Sequence, residues 1–257
     1  MSYAYELGIK LTLADFEKYA KEIPCINAVV PSGPYTVVDF HYAGGVMNVM
    51  KMLESKLYTD VPSMYGNTWA DMLSRVKAQE NKVIHSLEKP LFNEPGLKIL
   101  RGNLSPNGAI VRPTAVYDEV KYMKGKAKVF EGDRPAFEAI MAGEIVPGDI
   151  IVIRYEGCKG APGMKELMLS IDALIGLGLD KSVGLISDAR FSGFNYGAII
   201  GHVSPEAYDG GNIALVENGD EIVIDIPNGE VSMLVSEEEL ERRRAAWVCP
   251  PLKEEKG

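Results

Sequence analysis

Three glycine-rich segments carry the residues best suited to acid–base or metal chemistry. The first runs from Arg154 to Glu166 and holds Gly157, Gly160 and Gly163. It reads as the end of a strand, a loop, and a helix expected over Met164–Leu177. Such a loop lets the backbone approach an anion, and a helix N-terminus favours negative charge. An ordinary tight strand-to-helix connection has the same spacing. A phosphate-binding P-loop is excluded, because no Gly-Lys-Ser/Thr ending follows. Glu166 is expected in the first turn of that helix. There a carboxylate either complements the helix dipole or serves as a ligand for a hard cation such as Mg²⁺.

The second segment is Ser187-Asp188-Ala189-Arg190-Phe191-Ser192-Gly193-Phe194-Asn195-Tyr196-Gly197. A buried strand ends there and a polar turn follows, and α/β proteins place reactive groups at such strand ends. Ser192 precedes Gly193, but Arg190 stands where a hydrolase nucleophile elbow needs its first glycine. That argues against a Ser-His-Asp hydrolase. Ser192 is then a turn residue or a catalyst. The third segment, Gly201 to Ala207, contains His202, which is either a base or a structural hydrogen-bonding residue. His41, in Asp39-Phe40-His41-Tyr42-Ala43-Gly44-Gly45, has the same two readings.

The elements that must position these residues fall into two regions. Residues 1–92 read as helices with short connections. Thr12 lies three residues before Asp15, as in a capping box, and Phe16, Tyr19, Ala20 and Ile23 follow at helical spacing up to Pro24. Tyr35–Phe40 reads as a short β-rich stretch, and helices are expected over Val46–Leu57 and Trp69–Val76. A proline- and glycine-bearing connection, Lys89 to Gly96, precedes a β-rich region, residues 93–250. Its expected strands are Lys98–Leu104 and Gly108–Arg112 around a Pro-Asn-Gly turn, Ala127–Phe130, Asp149–Tyr155, Ser182–Ser187, Gly219–Ile226 and Glu230–Leu234. Its expected helices are Pro135–Ala142, Met164–Leu177 and Glu237–Trp247, the last with Ser236 as N-cap. Residues 251–257 read as a charged tail. The fold class is α/β: a mainly helical, structurally incomplete N-terminal segment followed by a compact β-barrel-like domain.

A chain of 257 residues with 46% hydrophobic residues can bury a core without staples. Its net charge of −9 argues against a nucleic-acid scaffold, which relies on Lys and Arg at phosphates. No apolar run is long enough to span a bilayer, and the first ten residues lack a signal-peptide pattern, so the expected location is cytoplasmic. Cys25, Cys158 and Cys249 form no Cys-x-x-Cys pair, which disfavours a disulfide framework or an iron–sulfur site built from them alone.

Taken in order, Pro31-Ser32-Gly33, Asp39–Gly45, Leu100-Arg101-Gly102-Asn103-Leu104, Pro147 through Glu166, Ser187–Gly193 and Gly201–Ala207 resemble the dihydroxy-acid dehydratase and 6-phosphogluconate dehydratase family. The resemblance covers almost the whole chain and extends to the last helix, Glu237–Trp247. It implies a swivelling β/β/α C-terminal domain preceded by the end of a larger N-terminal domain. It also implies a hydro-lyase that removes water from a 2,3-dihydroxy acid to leave a 2-keto acid, using Mg²⁺ and an iron–sulfur cluster. By position in the motifs, Ser192 would be the base and Glu166 one Mg²⁺ ligand, with Arg190, Gly193 and His202 as substrate contacts. In the family the cluster cysteines, a metal-binding aspartate and a modified lysine lie upstream of the portion present here. The resemblance therefore implies a cluster-bearing N-terminal partner chain and an oligomer. Phe194 and Asn195 replace the small or hydroxylated residues common in the family, leaving branched-chain and sugar-acid substrates both open. A non-catalytic scaffolding paralogue that kept the fold, or a fragment of a longer enzyme, is the alternative.

Overall fold

The computed structural model describes residues 1–252. The chain divides at Gly96/Leu97 into two compact units.

The first unit is helical. It contains α1 (Ser2–Glu6), α2 (Leu13–Glu22), α3 (Val37–Tyr42), α4 (Gly45–Met52) and α5 (Trp69–Leu73). Three of these helices start on the same local device, a Thr-x-x-Asp box. Thr12/Asp15, Thr36/Asp39 and Thr68/Asp71 each bring the aspartate back to the threonine backbone N–H, at 2.7, 2.8 and 3.1 Å. The second box corrects the β-rich reading of Tyr35–Phe40. Val37 and Val38 favour strand, but the Thr36 hydroxyl also accepts the Asp39 N–H, so the box satisfies two otherwise unpaired helix donors and outweighs that preference. The run expected as helix from Val46 to Leu57 breaks at Met52 into a 3₁₀ turn over Glu54–Lys56.

The second unit is a closed barrel of eight strands: β1 (Lys98–Gly102), β2 (Ser105–Val111), β3 (Tyr122–Phe130), β4 (Ile150–Ile153), β5 (Gly184–Ser187), β6 (Ile199–Ser204), β7 (Glu221–Asp225) and β8 (Glu230–Met233). Their order around the barrel is β1-β2-β6-β5-β4-β3-β7-β8, closed by a parallel β1–β8 contact. The stretch β3-β4-β5-β6 is parallel throughout. Parallel strands need crossovers, and two helices supply them: α6 (Asp133–Met141) between β3 and β4, and α7 (Leu169–Gly176) between β4 and β5. This explains the unbroken apolar run of β4. Ile150 and Val152 face the barrel interior, while Ile151 and Ile153 face the layer formed with α6 and α7. A final helix, α8 (Glu237–Ala246), starts on Ser236, whose hydroxyl accepts the Glu239 N–H. The fold is thus α/β with a closed eight-stranded barrel.

Two expectations in this unit are corrected. The β1–β2 turn is Asn103-Leu104, and Pro106-Asn107-Gly108 lies within β2. Asn103 fixes the turn because its side-chain amide both donates to the Met233 carbonyl and accepts the Met233 N–H, each at 2.7 Å. The helix expected from Met164 starts only at Leu169. Its cap is distant in sequence: the Asp133 carboxylate accepts the N–H groups of Met168, Leu169 and Ser170 at 3.0–3.2 Å. Residues 164–168 are irregular, so Glu166 is not in a helical first turn.

Candidate active site

The parallel strands β4, β5 and β6 bring the three glycine-rich segments to one place, because the first follows β4, the second follows β5 and the third starts inside β6. The three residues after β5 act as the rail on which the other two segments dock. Asp188, buried to 2% exposure, accepts three backbone N–H bonds: Tyr155 at 3.1 Å, Glu156 at 3.0 Å and Ala207 at 2.9 Å. The Ala189 carbonyl accepts the His202 N–H at 2.8 Å. The Arg190 carbonyl accepts the Leu167 N–H at 3.1 Å, and the Arg190 Nε donates to the Met164 carbonyl at 2.8 Å.

That last pair of contacts places Glu166 opposite Arg190 in an isolated parallel bridge, two residues before Ser192. Glu166 is exposed. Ser192 is half-buried, and its Oγ accepts the Phe194 N–H at 3.2 Å. The loop around it is pinned on both sides. The Asn195 amide donates to the Ser192 carbonyl at 2.6 Å, and the Arg112 guanidinium donates to the Gly193 carbonyl. Phe194 is largely exposed and meets Tyr196 edge-on with ring centroids 6.1 Å apart.

His202 lies within β6, not beside a turn, and its backbone is left-handed at φ 56°. Its side chain keeps exposed surface. Packed protein against the ring, and then the Arg190 charge, still hold its pKa below the ordinary imidazole value. Among the described residues, the non-glycine residues in the left-handed region are Tyr155, Met164 and His202. All three belong to the first and third segments. Such conformations cost about 1–3 kcal/mol each and gather where surrounding structure and function demand them.

The close backbone approach expected of the first loop has a different occupant from a bound anion. A Cβ on Gly157 would stand 1.7 Å from Glu206 Oε2, so this chain's own carboxylate fills the cradle. Glu206 Oε1 accepts the Lys159 N–H at 2.8 Å. His41 lies in α3, in the helical unit.

Sequence reasoning left Asp188, Glu206 and Arg112 without roles. Only Asp188 carried a signal, an acidic residue directly after an apolar strand that is buried on both faces.

The described residues contain no group of three His, Cys, Asp or Glu side chains placed to hold a metal ion. A single exposed Glu166 still fits Mg²⁺, which commonly takes one or two protein carboxylates and fills its remaining positions with water and substrate oxygens. The cysteines do not fit a cluster. Cys25 is in the helical unit, Cys158 Sγ lies against Met164 Sδ at 3.3 Å, and Cys249 Sγ lies 3.7 Å from the Tyr208 carbonyl. No described helix is long and apolar enough to cross a membrane.

Comparison with known proteins agrees with this architecture. Residues 82–257 match the family model described as dihydroxy-acid/6-phosphogluconate dehydratase C-terminal, and residues 1–72 match its N-terminal counterpart. The chain is 47% identical over its full length to a dihydroxy-acid dehydratase of Clostridium novyi, of which it covers 47%. It is 45% identical to one from Pyrobaculum neutrophilum over 98% of the chain and 46% of that relative. A Methanosarcina barkeri dihydroxy-acid dehydratase is 46% identical over 99% of the chain and 46% of its own length. The chain spans about half the length of these curated relatives. With both family models matched in order and the barrel's three motif loops converging at one end of β5, the chain belongs to the dihydroxy-acid/6-phosphogluconate dehydratase family.

Proposed function

We propose that this chain contributes the Ser192–Glu166 part of a hydro-lyase site that converts a 2,3-dihydroxy acid to a 2-keto acid. The single observation that carries the reading is the docking of both residues on one rail. The backbone bridge between Glu166 and Arg190 supports the reading by bringing residue 166 alongside the strand end that leads, two residues on, to Ser192.

The chemistry follows from the substrate. A hydrogen on C2 of a hydroxy acid is too weakly acidic for a free base, and hydroxide leaves C3 poorly. Glu166 would hold Mg²⁺, which when bound chelates the carboxylate and 2-hydroxyl and acidifies the C2 hydrogen. Ser192 Oγ, as alkoxide, takes that proton. The C2–H electron pair becomes the C2=C3 bond as the C3–O bond breaks; the departing hydroxide takes the proton held on Ser192 Oγ and leaves as water, which restores the alkoxide, and the resulting enol tautomerises to the ketone. The Phe194 N–H supports the charge on Ser192 Oγ, because a backbone donor aimed at an oxyanion favours the ionised form. Arg190, Gly193 and His202 flank this position as substrate contacts. The exposed Phe194 ring favours an apolar end on the substrate, and hence a branched-chain acid over a sugar acid.

Because this chain's cysteines do not fit a cluster, we assign the iron–sulfur cluster to a partner chain and derive no step through it here. The helical unit supports such a partner. Val37, Tyr42, Val46, Tyr58, Met64 and Tyr65 are each at least 63% exposed and offer apolar side chains that a partner chain would cover. We read residues 1–92 as the C-terminal portion of the family's N-terminal domain, residues 93–250 as its C-terminal domain, and the assembly as cytoplasmic. The test is 2-keto acid formation from a 2,3-dihydroxy acid by the complex of this chain with a cluster-bearing chain. A complex that binds the acid without turning it over would instead indicate a non-catalytic paralogue.

A further inference from the structure

Asp188 has a task that the reaction sketched above does not use. It is a carboxylate at 2% exposure, and the hydrogen bonds its oxygens accept come from the backbone N–H groups of Tyr155, Glu156 and Ala207. Two of these donors belong to the first glycine-rich segment and one to the third. Three donors converging on one side chain need two oxygens with several lone pairs, which an ionised carboxylate offers and a hydroxyl or amide does not. Burial of this kind is costly for a charge, and here burial outweighs the three amides and raises the carboxyl's pKa.

The surroundings are built to accept the arrangement. Glu206, one residue before Ala207, lays its carboxylate over Gly157, where any side chain would collide. Tyr155 adopts the left-handed conformation at φ 62°, and its hydroxyl accepts the Trp247 indole N–H at 3.0 Å. A strained residue is thus held from both its backbone and its side-chain end. The next two residues of the rail then carry the bonds to His202, Leu167 and Met164.

We propose that Asp188 is a positioning residue: by clasping the backbones of the first and third segments to the end of β5, it sets the placement of Glu166 relative to Ser192. It touches no reacting atom. It acts through main-chain amides, and its effect on turnover rests on the dehydratase reading, whereas its effect on loop order does not.

The experiment compares amide hydrogen exchange in the purified chain and in its Asp188→Asn variant. The asparagine turns one acceptor oxygen into a donor NH₂ facing N–H groups. We expect the amides of Tyr155, Glu156 and Ala207 to exchange at least about tenfold faster, with those of Leu167 and Phe194 following, while Ile151 and Ile186 in the barrel stay unchanged. Equal acceleration of the barrel amides would make Asp188 a purely structural residue, and unchanged loop amides would remove the clasp altogether. If the variant does not fold, the unsubstituted chain still decides. The three clasped amides should then exchange through one common opening, and rates scattered over more than about tenfold would overturn the proposal. In the assembled enzyme, Asp188→Asn should lower kcat by about 10²-fold, with a higher Mg²⁺ requirement and little change in KM, because small misplacements of reacting groups cost that much. Loop amides that accelerate while kcat per folded molecule holds would refute the positioning role. An unsubstituted assembly with no turnover would instead refute the dehydratase reading and leave the exchange result to judge the clasp.

Discussion

On the proposed reading, replacing Ser192 by alanine separates catalysis from stability. Its Oγ accepts one hydrogen bond, from the Phe194 N–H at 3.2 Å, on a half-buried loop. Losing such a bond costs about 0.5–1.5 kcal/mol, and here the lower end applies, because water can reach the freed N–H. No carbon is removed, so no cavity opens in the core. The loop keeps its other two anchors, from Asn195 to the Ser192 carbonyl and from Arg112 to the Gly193 carbonyl. Loss of a general base, by contrast, costs about 10²–10⁴-fold in rate, equivalent to about 2.7–5.5 kcal/mol of transition-state stabilisation. In the assembled enzyme, 2-keto acid formation by Ser192→Ala should therefore fall by at least about 10²-fold while the urea midpoint barely moves. Glu166→Gln should lose activity that raised Mg²⁺ partly restores, and the same Mg²⁺ should do nothing for the serine variant. Near-normal turnover of Ser192→Ala at saturating Mg²⁺ would refute the base assignment and make His202 the next residue to test.

Anaerobic reconstitution of the isolated chain with iron and sulfide should leave no stoichiometric cluster, since its three cysteines fall short of the four thiolates that usually hold one; full occupancy on this chain alone would contradict that. His202 should titrate below 6.5 in the folded chain by NMR, and Arg190→Ala should raise its midpoint by removing the neighbouring positive charge. With a lowered folded pKa, the His202 contribution to stability is full above 6.5 and is lost as pH falls towards the folded value; a midpoint at or above 6.5 would show the ring is not desolvated. Arg243→Ala should destabilise the barrel unit by about 3 kcal/mol, because it leaves Asp220, 10% exposed and bonded by Arg243 at 2.5 and 3.0 Å, without its partner charge. Urea unfolding checks this, and a change under about 1 kcal/mol would mean that Asp220 is resolvated.

How much of this was legible in the sequence depended on how local its cause was. The strand over Ile150–Ile153 and the helix begun by Ser236 were readable, because periodicity and capping are encoded within a few residues. The helix at Val37–Tyr42 was missed although Thr36 and Asp39 carried a local signal, since two valines suggested strand. The start of α7 could not be read locally, as its cap, Asp133, lies 37 residues before Ser170. Ser192 and Glu166 stood out by residue type and by family motif, and their common rail did not, because it is made of backbone bonds between strand ends. For the same reason the glycines of the first loop suggested a bound anion, where the occupant is Glu206 from the third segment.

On the proposed reading, Ser192 and Glu166 complete a dehydratase site together with a cluster-bearing partner. The most direct measurement is 2-keto acid formation from a branched 2,3-dihydroxy acid, with Mg²⁺ under anaerobic conditions, by the chain alone and by its complex with such a partner. No product is expected from the chain alone, and the complex should show sustained turnover that disappears with Ser192→Ala. Turnover by the isolated chain, or a cluster-loaded complex that never forms the keto acid, would contradict it.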